Sequence, residues 1–132
     1  MTDGQRLHQR ACTLLNIDSE KVRLVGPAEF RQLEGYGVSR NYGISGLTHP
    51  VVYVRRGQKL DTHVHEILHL LFRSRPHWWI FEAAWKIAGT PPNQRGWAYG
   101  YGKSLWAGGH KVEARGHLLQ LAQAAAKRHG YT

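Results

Sequence analysis

HVHEILHLLFRSRPHWWIFE, residues 63–82, decides how the rest of the chain is read. Val64, Ile67, Leu68, Leu71 and Phe72 recur at steps of three and four, the spacing of a helix with one broad apolar face. Asp61 or Thr62 can cap its start, and Pro76 closes it because the residue before a proline avoids the helical region. A helix is therefore expected from about Asp61 to Ser74. A second follows at once over PHWWIFEAAWKIAG, with proline near its start and Gly89 as its C-terminal stop.

Outward from these helices the chain alternates element types. Leu7, Ala11, Leu14 and Leu15 follow helical spacing after Asp3, a plausible cap. KVRLVG reads as a short strand ending at Gly26, and PAEFRQLEG as a short helix with proline in its first turn. YGVSRNYGISG is Gly-, Ser- and Asn-rich and predicts a loop or irregular hairpin. PVVYVRRG, β-branched and bounded by Pro50 and Gly57, is the clearest strand. After the Gly- and aromatic-rich connection TPPNQRGWAYGYGKSLWAGG, a last helix is expected over HKVEARGHLLQLAQAAAKRHG. The fold class expected is α+β: a short mixed sheet, a helix bearing the histidines, a second ligand-bearing helix and a C-terminal helix. No repeat or linker divides residues 1–132, so one domain is expected.

Composition narrows the function classes. The 132 residues are 42% hydrophobic, enough for a core without disulfides, and no apolar run approaches a membrane span. The polar start MTDGQRLHQR predicts no secretory signal, and a lone Cys12 suits a reducing compartment, so a cytoplasmic location is expected. Net charge is +9, which favours acidic partners, nucleic acid among them, although the positive residues are scattered and form no basic arm. Acids are scarce: after Leu60 only Asp61, Glu66, Glu82 and Glu113 remain.

His65, Glu66 and His69 form H-E-x-x-H. Helical residues four apart lie about 40° apart around the axis and one turn along it, so both imidazoles face one side. They can hold one zinc ion at roughly 2.0–2.1 Å. Glu66, about 100° away, is close enough to hold a water on that ion without being a ligand. A catalytic zinc takes three protein ligands and keeps one position open, so a third ligand is required. A metzincin-type extension would place glycine at position 72 and histidine at position 75; Phe72 and Arg75 exclude it. His77 sits at the helix junction and is assigned to aromatic packing. Glu82 is the better candidate, an acid among Phe81, Ala83, Ala84 and Trp85 that asks for a positive partner. Glu113 remains open as a second-shell group, an alternative ligand, or an acid favouring the first turn of its helix. Tyr99, Tyr101, His110 and His117 are candidates for stabilising a transition state. His63 points elsewhere on its helix.

H-E-I-L-H followed by RPHWWIFEAAW resembles the gluzincin metallopeptidases, many of which carry H-E-x-x-H and then a helix reading P-x-W-x-x-E-G-x-A. Trp79 and Glu82 keep the W-x-x-E spacing, Pro76 stands one residue further from the tryptophan than in that pattern, Ala83 falls where glycine is usual and Trp85 where the last alanine falls. The resemblance covers about a quarter of the chain strongly. It implies that His65, His69 and Glu82 bind zinc, that Glu66 is general base and acid, and that the fold is zincin-like. The size is similar to the minigluzincins, which lack a large second subdomain. A zinc-dependent endopeptidase acting on a peptide or protein substrate is thus expected. The alternative is an inactive zinc-binding module whose basic surface meets nucleic acid or an acidic protein. Zincin substrates usually pair with an edge strand above the active-site helix; VVYVRR is the candidate, an ordinary interior strand the competing reading.

Overall fold

The computed structural model describes residues 1–34, 43–45, 50–89 and 112–132. Within them the chain runs α1 (Asp3–Leu14), β1 (Arg23–Val25), α2 (Pro27–Glu34), β2 (Gly43–Ser45), β3 (Val51–Val54), α3 (Leu60–Leu71), α4 (His77–Ala88) and α5 (Arg115–His129). The class is α+β. The sheet is mixed, in the order β1-β3-β2. β3 pairs parallel with β1 (Leu24 opposite Val52) and antiparallel with β2 (Ile44 opposite Tyr53). β3 is therefore the central strand, with both hydrogen-bonding edges occupied. This corrects the edge-strand candidacy of VVYVRR: an added strand has no free edge there, and among the described residues the outer strands are β1 and β2.

Local chemistry explains most boundaries. Thr2, rather than Asp3, caps α1: its hydroxyl accepts from the Gln5 N–H while the Gln5 side chain accepts from the Thr2 N–H, a reciprocal capping box. α2 begins at Pro27, where the missing N–H costs nothing. α4 and α5 end at Gly89 (φ 71°) and Gly130 (φ 78°), left-handed positions that glycine takes without steric cost. α3 departs from expectation at both ends. Lys59 stands at its N-cap without a side-chain cap, and Asp61, in the first turn, accepts a hydrogen bond from the Trp85 side chain. Its last turn closes at Leu71, well short of Pro76.

α3 is the central element. His63 through Leu68 are all buried, as are Leu70 and Leu71, because α1, the sheet, α4 and α5 pack around it. The apolar face read in sequence meets α1 and the sheet; the face with the histidines is covered too, by α4. Ala11, Leu15, Val22, Val52, Ile67 and Ile80 form the core beside it. Burial of each Leu, Val or Ile among them contributes roughly 1.5–3 kcal/mol, which holds α3 in place. Cys12 is buried and unpaired. No helix among the described residues is long and apolar enough to cross a membrane.

Candidate metal centre

α3 and α4 form an antiparallel helical hairpin joined by the turn Phe72–Pro76. One stripe of α3 (Asp61, His65, His69) faces one stripe of α4 (Trp85, Phe81, His77). Asp61 bonds Trp85, the His65 and Phe81 rings meet edge to face at 5.3 Å, and His69 stacks on His77 at 5.3 Å. Both stripes step by four residues, the interval that keeps side chains on one helical face.

Towards the turn end of this hairpin three imidazoles converge. Nε2 of His65 lies 3.0 Å from Nε2 of His69 and 3.0 Å from Nε2 of His77. The ligating atoms of all three fall within 4.8 Å of one another, close enough to hold one metal ion. A tetrahedral zinc with nitrogens at about 2.0–2.1 Å sets them about 3.3 Å apart. The trio fits such an ion and fits poorly without one. A ring nitrogen carries either one hydrogen or one lone pair, so His65 Nε2 can satisfy only one of its two neighbours by hydrogen bonding.

Electrostatics keep these rings in the ligating form. Burial, then the neighbouring His69 and His77, holds His65 well below the usual imidazole range. Burial and His77 bring His69 down to about 4, and burial lowers His77. Neutral imidazoles with available lone pairs result at pH 7. Beside them Glu66, only 5% exposed, places Oε1 3.8 Å from His65 Nε2. Burial raises its carboxyl to about 8; a divalent charge at the trio opposes that shift and favours the carboxylate.

The structure brings together His65, Glu66 and His69 as the sequence pattern implies, and adds His77, which the sequence reading assigned to packing. Glu82 is not in the group. It lies five residues past His77, about 140° around α4, and faces α5 instead. Its Oε1 accepts from the Val112 N–H at 3.5 Å, and Lys86, one turn on, donates to the Val112 and Glu113 carbonyls at 3.1 and 3.5 Å. Glu82 Oε2 is buried without a partner among the described residues. The acid in an apolar helix thus meets a backbone segment.

Glu113 precedes Ala114, the N-cap of α5, which makes no side-chain cap bond, and Glu113 Oε2 is buried without a partner among the described residues. His117 is exposed in the first turn of α5, outside the metal group. Tyr99, Tyr101 and His110 lie outside the described residues. His63 is buried on the far side of α3, where burial and His8 depress it to about 4. A signal for His77 was present in the sequence. Pro76 makes it the first residue of α4, and a short turn must lay that residue over the last turns of α3. Neither a family model, a curated protein nor a solved structure matches the chain.

Proposed function

We propose that the protein is a zinc-dependent peptidase of minimal, zincin-like build. His65, His69 and His77 are the protein ligands and Glu66 is the general base and acid. The observation that supports it is the convergence of three imidazole nitrogens beside one buried carboxyl group. Three nitrogen ligands with a fourth position open is the donor set of catalytic rather than structural zinc. A zinc ion so held supplies Lewis acidity, acidifying water and polarising a carbonyl.

The chain's own residues do the rest. Glu66 takes the proton of the attacking water at its carboxylate and returns it to the leaving amine, breaking the C–N bond. A closed structural site would have no use for a carboxylate at that distance. Phe81, edge-on to His65 and backed by Trp85 at 4.4 Å, holds the ring in place and keeps water from one side of the trio. An extended substrate adding to the sheet would use an outer strand; β2 packs beside α3 and offers the nearer one. The resemblance to gluzincins is kept in H-E-x-x-H and departs at the third ligand, histidine in place of glutamate.

The test is metal content together with cleavage of a fluorogenic peptide library. One zinc per chain, cleavage abolished by 1,10-phenanthroline and restored by zinc, is the expected result. A zinc-loaded chain that cleaves no peptide would remove the peptidase reading and leave a binding module.

A further inference from the structure

Charge is unevenly divided along the chain. Residues 1–34 hold five Asp and Glu against five Lys and Arg, whereas residues 35–132 hold four against thirteen. The structure sharpens this. The four acids of the second part, Asp61, Glu66, Glu82 and Glu113, are all buried or half-buried, and Asp61 and Glu82 are engaged by Trp85 and Val112. No acid beyond Glu34 is exposed, while Arg56, Lys59, Arg73, Arg75, Lys127 and Arg128 all are.

Tertiary packing concentrates part of that charge. His129 Nε2–H donates to the Leu71 carbonyl at 3.3 Å, joining the end of α5 to the end of α3. Arg73 and Arg75 therefore share one end of the molecule with Lys127 and Arg128. Arg75 lies over the Trp79 ring at 4.5 Å, which fixes its guanidinium. Arg73, Lys127 and Arg128 make no ion pair among the described residues, in contrast to Arg6 with Asp3 and Arg23 with Glu29. Complementing a helix dipole accounts for Lys127 and Arg128 in the last turn of α5. It does not account for the removal of every exposed acid after Glu34.

The surface also selects among anionic partners. Met1, at 71%, is the single exposed large hydrophobic among the described residues. A protein partner needs an apolar, well-packed centre, and a membrane-surface helix needs an apolar face to bury. A phosphodiester backbone needs neither, because its affinity comes from release of condensed counterions. We propose that the end of the molecule formed by the α3–α4 turn and the C-terminus of α5 binds the phosphodiester backbone of a nucleic acid, without reading its bases.

The test uses the full chain and fluorescein-labelled DNA duplexes and single strands of mixed sequence, by anisotropy between about 50 and 200 mM salt. Sequence-independent binding with Kd of roughly 10⁻⁴–10⁻⁶ M near physiological salt is expected, weakening linearly on a log–log plot. Replacing Arg73, Lys127 and Arg128 together by Gln should weaken binding at least about tenfold and reduce the duplex salt slope by about 0.9 per residue. All three are exposed, and unchanged circular dichroism controls for folding. Binding weaker than about 10⁻⁴ M, or a triple variant that binds like the parent, overturns the proposal. Equal or tighter capture by polyglutamate or by phosphatidylserine vesicles also overturns it, transferring the surface to acidic proteins or membranes. Glu66→Gln should leave oligonucleotide binding unchanged while abolishing peptide cleavage, so this inference and the peptidase reading fail separately.

Discussion

Two faces of α4 use polar residues in opposite ways. On one, His77 meets His65 and His69 with three ring nitrogens turned to a common point. On the other, Glu82 and Lys86 grip the backbone of residues 112 and 113 before α5. Both faces place polar groups in a largely buried setting; on the first they converge on one another, and on the second they reach backbone donors and acceptors, with Glu82 Oε2 left without a partner among the described residues. Donor meeting acceptor is a fastening; lone pair meeting lone pair asks for a cation. Residue type alone would have ranked the glutamate above the first histidine of the helix.

The largest effect that can break this comparison is loss of the proposed metal. His65→Ala, His69→Ala and His77→Ala should each lower zinc affinity by orders of magnitude, as removing one of three ligands does. Equilibrium dialysis against a competing chelator reads this directly. A His77→Ala chain that kept zinc as tightly as the parent would return the third position to another residue. Next in size, Glu66→Gln should retain one zinc and lose peptide cleavage by about 10²–10⁴-fold, the usual share of a general base. If that variant lost the metal instead, Glu66 would be a ligand.

The buried histidines make a third prediction, in the metal-free chain. His63, 2% exposed, titrates at about 4 because burial and then His8 disfavour its charged form. His8 is lowered as well, mainly by burial and against the Val22 carbonyl that its Nε2–H contacts. In the unfolded chain both take up protons near pH 6.5. A depressed histidine pKa means that the unfolded state binds more protons, so stability is full above about 6.5 and falls as pH drops towards 4. At pH 5 a ring with the His63 value costs about 2 kcal/mol, measurable by urea unfolding. Stability that rose on acidification would contradict the neutral burial of these rings.

The other face of α4 supplies the smallest effect. Glu82→Met removes the acceptor for Val112 while conserving volume, and should cost about 1–3 kcal/mol of stability with zinc affinity changed by no more than a few-fold. Zinc lost from a chain still folded would erase the distinction between the faces and make Glu82 a ligand.

Much of this was legible in sequence because it depends on neighbours along the chain. The apolar steps of α3, Pro27 and Pro76 at helix starts, and Gly89 and Gly130 at helix ends are local effects of backbone sterics and one-sided burial. The H-E-x-x-H trio was legible for the same reason, since a single helix fixes its geometry. Less was visible where two segments meet. The strand Val51–Val54 was evident from composition, yet its central position depends on partners far away in sequence. Thr2 displaced Asp3 as a cap because the reciprocal bond needs Gln5 three residues on.

By itself, the order of residues determined that one helix presents two imidazoles and a carboxylate to the same neighbourhood, since a rise of 1.5 Å and a turn of 3.6 residues leave no alternative. Only tertiary structure decided what completes the set. The angle at which α4 leaves the Phe72–Pro76 turn selects which of its faces meets α3, and 140° of helical phase separates His77 from Glu82. That angle is set by packing across the hairpin, Phe72 on Trp79 and His65 on Phe81, contacts whose energies depend on three-dimensional fit and carry no mark in the spacing of residues.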